Sequence, residues 1–460
     1  MKKIKPRIYL PIETKRREFN ARIFFASKAI QNNWSVVICS KQDLFSKYKL
    51  MQPGVIFLKS LQDSYHEIIE KLKKDKFTFV ATNEEGLLFI HPNFILNKVN
   101  EKCLNDVDYF FCWGEVERSI LTKKFKVDNS KLILSGNARI DILKEKNRNL
   151  LKDESVQIQK KYGKFILFTT KFGRANFIPR FGIKSWLEGQ FLNGNVNEDN
   201  KEYLNIVKKS IYHEENNLNL FLKFLEKFNY NFPNRKLIIR PHPSENHETY
   251  KLHTNKYKNI IVVNDDKSTN SWILASDFLV HCNCTTSVEA HILNKSSINF
   301  LGYSDKDVEH FLPKIFSSNV YSVEELLNEI AKKYKNQETT IFKSKSSEAK
   351  DWIFNIDNNT SSNIILDALK NLNTSIGIEK DKNSNFIFFL YYKLKRFLRN
   401  KIYNNIRKND KGFHQLIKQK MTILSKKEIK NVCKFYIDDK KFNRVNFKEI
   451  YPDIFEINYD

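Results

Sequence analysis

No uninterrupted apolar stretch in this 460-residue chain approaches the roughly 18 to 20 residues that a helix needs to cross a bilayer. A helical membrane-spanning protein is therefore not expected. Cysteine is scarce, and its six copies, Cys39, Cys103, Cys112, Cys282, Cys284 and Cys433, follow no framework spacing. A disulfide scaffold is excluded, and reduced thiols are expected, because Cys39 and Cys112 sit inside apolar runs of the kind that become buried strands. His281-Cys282-Asn283-Cys284 lacks a second ligand pair at zinc-site spacing, so no metal is expected there. Only a short apolar run separates Met1 from Glu13, too little for a signal peptide, and the expected location is the cytoplasm. Neither an internal repeat nor a nucleic-acid recognition motif is visible, so nucleic acid is not an expected partner.

A chain of this length exceeds what one hydrophobic core usually serves, and its 41% hydrophobic content suffices for two or three globular cores. The net charge of +25 favours anionic partners, from nucleotide-sugars to acidic lipid surfaces. Lysine, asparagine and isoleucine are abundant throughout, however, so the charge by itself selects none of them.

Strand and helix signals alternate through the first third. Arg7 to Leu10, Ser35 to Cys39, Phe77 to Ala81, Asp108 to Phe111 and Lys131 to Leu134 read as strands, with Glu18 to Gln31 as an amphipathic helix. Such alternation predicts a parallel sheet flanked by helices. Asp141 to Lys164 is charged and poor in periodicity, and reads as an interdomain connection. A second alternating series starts at Lys164 to Thr170 and runs to about Leu327, giving a second Rossmann-like unit. Between Lys171 and Glu202 lies an insertion with Arg174, Arg180, Trp186 and Gly194, which reads as a lid or acceptor-binding loop or else as a disordered or partly helical insertion. Beyond residue 375, Phe386 to Tyr392 followed by Lys393, Lys395, Arg396 and Arg399 suits either an interfacial helix on an anionic membrane leaflet or a helix packed on the protein.

Two junctions carry the chemistry. Leu237 to Ile239 reads as a buried strand that breaks into Arg240-Pro241-His242-Pro243-Ser244-Glu245, where the prolines can continue neither helix nor sheet. His242 is thus held in a stiff turn beside Arg240, a pairing suited to a phosphate or carboxylate because one offers a planar donor fork and the other titrates near neutrality. Asp277 to Val280 reads as a second buried strand, followed by Thr285, Thr286 and Ser287 at a helix start, where hydroxyls and backbone N–H groups suit an anion. The competing reading of that junction is a capping box, Thr286-x-x-Glu289, in which Glu289 turns back onto its own helix. In open α/β sheets, ligands bind outside the carboxyl ends of the strands, so the two junctions predict one shared pocket.

Arg240-Pro241-His242-Pro243, followed by Thr285 to Ala290, resembles the donor half of bacterial surface-polysaccharide transferases with the two-domain GT-B architecture. In the other half, Leu10 to Glu13 with Arg17-Glu18, Asn83-Glu84-Glu85-Gly86, Trp113-Gly114 and Ser135 to Asp141 resemble the surface carbohydrate biosynthesis proteins, which are distantly similar to capsule and lipopolysaccharide Kdo transferases. The resemblance covers roughly residues 5 to 375 and lies in the order and spacing of these segments. It implies an α/β fold with two Rossmann-like domains facing a cleft: an acceptor-side domain at 1–145, a nucleotide-sugar donor domain at 146–375, and a helical basic extension at 376–460.

For this architecture the expected reaction is glycosyl transfer from a nucleotide-activated sugar, with CMP-Kdo or a related acidic sugar implied by the resemblance, to a glycan or lipid-linked glycan. No Asp-x-Asp motif stands at a strand end, and the expected chemistry is metal-independent with no cofactor, the nucleotide-sugar being a substrate. Arg240, His242, Ser244, Thr285, Thr286 and Ser287 are the expected donor clamp, with Glu289 on the nucleotide ribose as the resemblance implies. Glu84 and Glu85 follow a strand and are the expected reactive carboxylates, Glu85 preferred by resemblance, with His242 as a further catalytic candidate. Glu13, Arg17, Glu18, Asn137 and Arg139 are expected on the acceptor side. The alternatives are a CDP-polyol phosphotransferase of teichoic-acid type, a nucleotide-sugar epimerase, and a noncatalytic scaffold for polysaccharide assembly.

Overall fold

The computed structural model describes residues 5–90, 93–96, 98–179, 182–192, 196, 198–335, 349–357, 360–372 and 424–459, with isolated positions between 390 and 415. Six parallel strands open the chain: β1 (Arg7–Ile12), β2 (Ser35–Ser40), β3 (Val55–Leu58), β4 (Thr78–Thr82), β5 (Tyr109–Cys112) and β6 (Leu132–Leu134). Their order, β2-β1-β3-β4-β5-β6, reverses direction between β1 and β3. These strands are apolar runs because both faces are covered. Ile8, Leu10 and Ile12 pack on one side with Ile23 and Phe25 of the helix Lys15–Gln31, while Tyr9 joins Phe77 and Leu44 on the other. Each large apolar side chain so buried contributes about 1.5–3 kcal/mol.

The second sheet is wholly parallel: β7 (Ile166–Thr169), β8 (Leu237–Arg240), β9 (Ile260–Val262), β10 (Leu279–His281), β11 (Ser297–Phe300) and β12 (Ser318–Val320). Its order is β12-β11-β10-β7-β8-β9, the dinucleotide-fold arrangement, with the reversal between β7 and β10. Both expected Rossmann-like units are therefore present.

The connection between the two sheets differs from its sequence reading. Asn149–Tyr162 is a helix that buries Leu150, Leu151, Ser155 and Ile158 and ends at Gly163, whose φ of 71° a side chain would resist. Its apolar positions are few, which hid the period among the charges. The insertion after β7 is also partly helical, with Trp186–Leu192 and the 31-residue helix Lys201–Asn231; Arg180 and Gly194 lie outside the described residues.

The chain then returns to the first domain. Asp141, fully buried after β6, accepts hydrogen bonds from the backbone N–H groups of Ser361 (3.0 Å) and Ser362 (2.8 Å) and from the Ser362 hydroxyl (2.6 Å). The helix that follows, Ser361–Lys370, sinks Ile365, Leu366 and Leu369 into the core around β1. Residues 360–372 thus pack on the first domain although they follow the second in sequence.

The described part of the C-terminal extension is helical at Lys426–Cys433 and Asp439–Phe442, and it then forms a hairpin of β13 (Val445–Tyr451) and β14 (Ile454–Tyr459). The hairpin adds strands to the helical extension expected from the sequence: β14 pairs antiparallel with β2, making the first sheet eight-stranded. Alternation in Val445 to Tyr451 and Ile454 to Tyr459 places Phe447, Phe455 and Ile457 in the core, with Lys448 and Glu449 exposed and Glu456 paired with Arg7. Most of the segment Phe386 to Arg399 lies outside the described residues. No helix among the described residues is long and apolar enough to cross a membrane.

Candidate active site

The turn after β1 is fastened by Glu18. Its carboxylate accepts from the backbone N–H groups of Thr14 (2.9 Å) and Glu13 (3.2 Å) and from Lys59 (3.3 Å), with only 2% of the residue exposed. Glu18 is therefore a brace and not the acceptor-side ligand expected from sequence. The brace sets the first turn of the following helix, from which Arg17 reaches Glu85 at 3.3 Å and Arg16 reaches Asp266 of the second domain at 3.3 Å. Glu13 lines the cleft; burial alone would raise its carboxyl, but Lys59 and Lys41 outweigh that and hold it below its ordinary value.

At the end of β4, Asn83-Glu84-Glu85-Gly86 wraps against Trp113. The indole N–H donates to the Asn83 carbonyl, and a Cβ on Gly86 would stand 2.3 Å from the indole ring, so only glycine fits. Beneath the turn, Glu117 accepts from the Trp113 backbone N–H (2.8 Å) and the Asn83 amide (3.2 Å), and burial pushes its carboxyl up to about 7.

The two adjacent acids diverge from this turn, as expected of neighbouring side chains. Glu84 turns to Arg139 at 3.1 Å. Glu85 turns into the cleft, 3.3 Å from Arg17 and 3.2 Å from Lys98. Burial favours the neutral form of Glu85, yet Lys98 and Arg17 overcome it and keep the carboxyl far below the usual range, so it is ionised. Asn137 does not reach the cleft: its carbonyl oxygen accepts from the Arg139 backbone N–H (2.9 Å) and its amide donates to Thr82. The sequence expectation for Asn137 is thus corrected to a support for Arg139, which does line the cleft.

Across the cleft, the turn after β8 presents His242. Its Nδ1 accepts from the Ser244 backbone N–H (3.2 Å) and lies 2.7 Å from the Ser244 hydroxyl, which in the neutral ring leaves the proton on Nε2. The turn is anchored below by Glu245, fully buried, which accepts from Thr170 (2.6 Å), Tyr250 and the Phe172 N–H (2.7 Å). Thr170 in turn accepts from the His242 backbone N–H (3.1 Å).

Arg240 lines the cleft, but its fork is committed to Asp265 (2.8 Å) and the Lys267 carbonyl, with the Trp272 ring 5.6 Å away. It holds the β8 and β9 loops together, which corrects its reading as a phosphate clamp. Ser287 is also withdrawn: it is fully buried and donates to the Cys284 carbonyl.

Thr285 and Thr286 do line the cleft, and Thr286 lies 3.0 Å from Thr169 across the gap between β10 and β7, where the strand order reverses. The capping box is not formed. Glu289 reaches Arg139 of the other domain at 3.1 Å, and its carboxyl is raised by burial with Arg139 opposing.

The cleft between the sheets has a volume of about 570 Å³. It brings together Glu13, Arg17, Glu84, Glu85 and Arg139 from the first domain with Arg240, His242, Ser244, Thr285, Thr286 and Glu289 from the second. No protein-family model matches the sequence, and no curated protein matches it. Among solved structures, the wall teichoic acid polymerase TagF is 14% identical over 80% of this chain and 89% of its own, with a TM-score of 0.50. TagF soaked with CDPG gives 12% identity, 80% and 88% coverage and a TM-score of 0.51. The S. aureus MnaA–UDP structure gives 11% identity, 79% and 96% coverage and a TM-score of 0.49. The architecture is GT-B-like. At these identities the likeness is one of fold.

Sequence reasoning did not single out the lysines in and beside the GT-B-like cleft. Lys171, just after β7, donates to the Asn283 carbonyl (3.0 Å), and withdrawal from water lowers its ammonium to about 8. Lys59 pairs with Glu13, and Lys98 with Glu85. Arg174 of the insertion pairs with Glu214 of the long helix and lies over Trp186, 5.3 Å from the ring. Position after a strand was a signal for Lys171; nothing distinguished Lys59 or Lys98 in so lysine-rich a chain. Among the described residues, no group of three or more His, Cys, Asp or Glu side chains is arranged to hold a metal ion.

Proposed function

We propose that the protein is a glycosyltransferase that moves a sugar from a nucleotide-activated donor to a growing bacterial surface polysaccharide. The observation that carries this reading is the convergence, in one cleft at the carboxyl ends of both sheets, of a histidine-hydroxyl face and a carboxylate-cation face. On the second domain, the Nε2–H of His242, the hydroxyls of Thr285 and Thr286 and the ammonium of Lys171 meet the donor phosphates. Glu289, held by Arg139, is positioned for the nucleotide ribose. On the first domain Glu85 is the reactive carboxylate: it is ionised and faces the cleft, whereas Glu84 is engaged by Arg139. A carboxylate held so acidic is a weak base but a durable negative charge, suited to the cationic character that develops at the sugar ring.

The finer reading, CMP-Kdo or a related acidic sugar as donor, draws on the sequence resemblance and on Arg16, Arg17 and Lys59, which can answer a sugar carboxylate from the first-domain side. A second reading is a CDP-polyol phosphotransferase, favoured by the fold likeness to TagF, which has been soaked with CDPG. Association with an anionic membrane surface through residues 386–399 belongs to the same proposal and draws on sequence alone.

The test is thermal stabilisation of the full chain by CMP, CDP, UDP and GDP, since a ligand at 100 times its Kd adds about 2.7 kcal/mol of apparent stability. One nucleotide is expected to stabilise, with the effect lost in His242→Ala. CMP selects the acidic-sugar donor, CDP the polyol reading, and no shift with any nucleotide refutes both. Turnover then separates enzyme from scaffold, and acceptor dependence separates transfer from epimerisation.

A further inference from the structure

A second and larger cavity, about 940 Å³, adjoins the cleft and shares Glu85, Leu88, Lys171, Arg174, Trp186 and Glu214 with it as a common wall. Its charged lining is nearly balanced, three cations (Lys98, Lys171, Arg174) against four acids (Asp63, Glu85, Glu101, Glu214), leaving His213 and His310 aside. Much of that charge is already neutralised in place, Lys98 by Glu85 at 3.2 Å and Arg174 by Glu214. A pocket built for phosphate or carboxylate gathers unopposed cations and directed donors, and this one does not. What it offers is aromatic surface, from Trp186, Tyr203 and Phe125, interspersed with neutral polar side chains such as Gln62 and Gln190.

Two residues of the lining also carry hydrogen-bonding atoms that are buried without a partner. His310 is buried, and burial keeps its ring neutral by driving the imidazole well below its ordinary range; the ring bonds to the Phe89 carbonyl, while Nδ1 has no partner among the described residues. Arg174 Nε is likewise without one.

We propose that this chamber is the acceptor subsite and that it binds uncharged, hydroxyl-rich sugar residues of a glycan, with Trp186 and Tyr203 as stacking faces. The assignment rests on the reading of the smaller cleft as the donor site. A sugar seated in the chamber presents its hydroxyl to the common wall, where Glu85 and Lys171 border both spaces. The wall carrying Trp186, Gln190 and Tyr203 comes from the insertion between β7 and β8, so that insertion selects the acceptor.

Saturation-transfer NMR on the full chain tests this with two probe sets. The neutral set is the methyl glycosides of glucose, galactose and N-acetylglucosamine; the anionic set is glycerol 3-phosphate and N-acetylneuraminic acid. At least one neutral glycoside is expected to give a signal that exceeds both anionic probes several-fold. Tyr203→Ala and Gln190→Ala should each reduce that signal several-fold, and Tyr203→Phe should restore it. Neither residue lines the donor cleft, so the stabilisation by nucleotide should persist in both variants. Absence of any neutral signal, a stronger anionic one that is itself lost in Tyr203→Ala and Gln190→Ala, or insensitivity of the neutral signal to both substitutions overturns the assignment. If nucleotide stabilisation is missing in the wild type, the donor reading fails separately, and the glycoside comparison still decides what the chamber binds.

Discussion

Arg139 lies 3.1 Å from Glu289, joining a residue just after β6 of the first domain to a helix of the second. The same guanidinium reaches Glu84 at 3.1 Å, so one cation serves a carboxylate from each domain, and all three side chains are largely shielded from water. The trio is an electrostatic clasp across the cleft, beside Glu85 on one side and Thr286 on the other.

Arg139→Ala leaves two shielded carboxylates without a counter-ion. Removing one partner of a buried pair costs about 3–5 kcal/mol, so chemical denaturation of this variant should show a loss of that order. Arg139→Lys, which keeps the charge but not the fork, should fall between. A loss of less than about 1 kcal/mol in Arg139→Ala would remove the clasp from the account.

His242→Ala and Glu85→Gln should melt close to the wild type, because His242 is exposed and Glu85 is partly so. Transfer should nevertheless drop by about 10²–10⁴-fold in each, the range for a lost acid, base or charge-stabilising group. Near-normal turnover in either variant would displace that residue from the site.

Glu245 gives a pH prediction with a definite sign. Burial raises its carboxyl from 4.5 to about 7, with Thr170 and Tyr250 opposing, so its contribution to stability is complete below about pH 4.5 and is lost as pH rises through 7. Glu245→Gln should flatten this part of the profile. The amide oxygen can take the Phe172 N–H, and both partners of the other carboxylate oxygen are hydroxyls that can turn to accept. Denaturation midpoints from pH 5 to pH 8 should converge or cross between wild type and variant. Parallel profiles would show that Glu245 does not titrate in that window. Buried His247 and His281, lowered by burial to about 4 and about 3, act in the opposite sense, losing stability as pH falls below 6.5, and cancel in the comparison.

Gly86→Ala should cost about 1–3 kcal/mol, the usual range for overpacking. The added carbon meets the Trp113 ring, which is buried and held through its indole N–H, so neither side can yield cheaply. Because Glu84 and Glu85 share the turn, activity should fall with the melting temperature. An unchanged melting temperature would contradict this tight fit.

The sequence made the strand ends legible because an apolar run collapsing into Pro-His-Pro or Thr-Thr-Ser has few structural interpretations. It misread Glu18, Asn137, Ser287 and Arg240 because residue type does not reveal which polar groups the turns themselves consume: backbone N–H groups took Glu18 and Asn137, a carbonyl took Ser287, and Asp265 took Arg240. Glu289 is the opposite case: a local capping box was available, yet a partner 150 residues away holds it in the cleft, as its cleft-facing reading required. The hairpin did carry a period-two signal at Val445 to Tyr459, obscured by its charged outward face and by the basic stretch before it.

That hairpin has a consequence for the order in which the molecule can be assembled. Ile429, Phe447, Phe455 and Ile457 fill the same core as Ile8 and Leu10, and Arg7 pairs with Glu456. Of the two domains, the one synthesised earlier is thus completed later: during synthesis the β7 to β12 sheet can close while β2 still waits, edge exposed, for a strand more than 400 residues away.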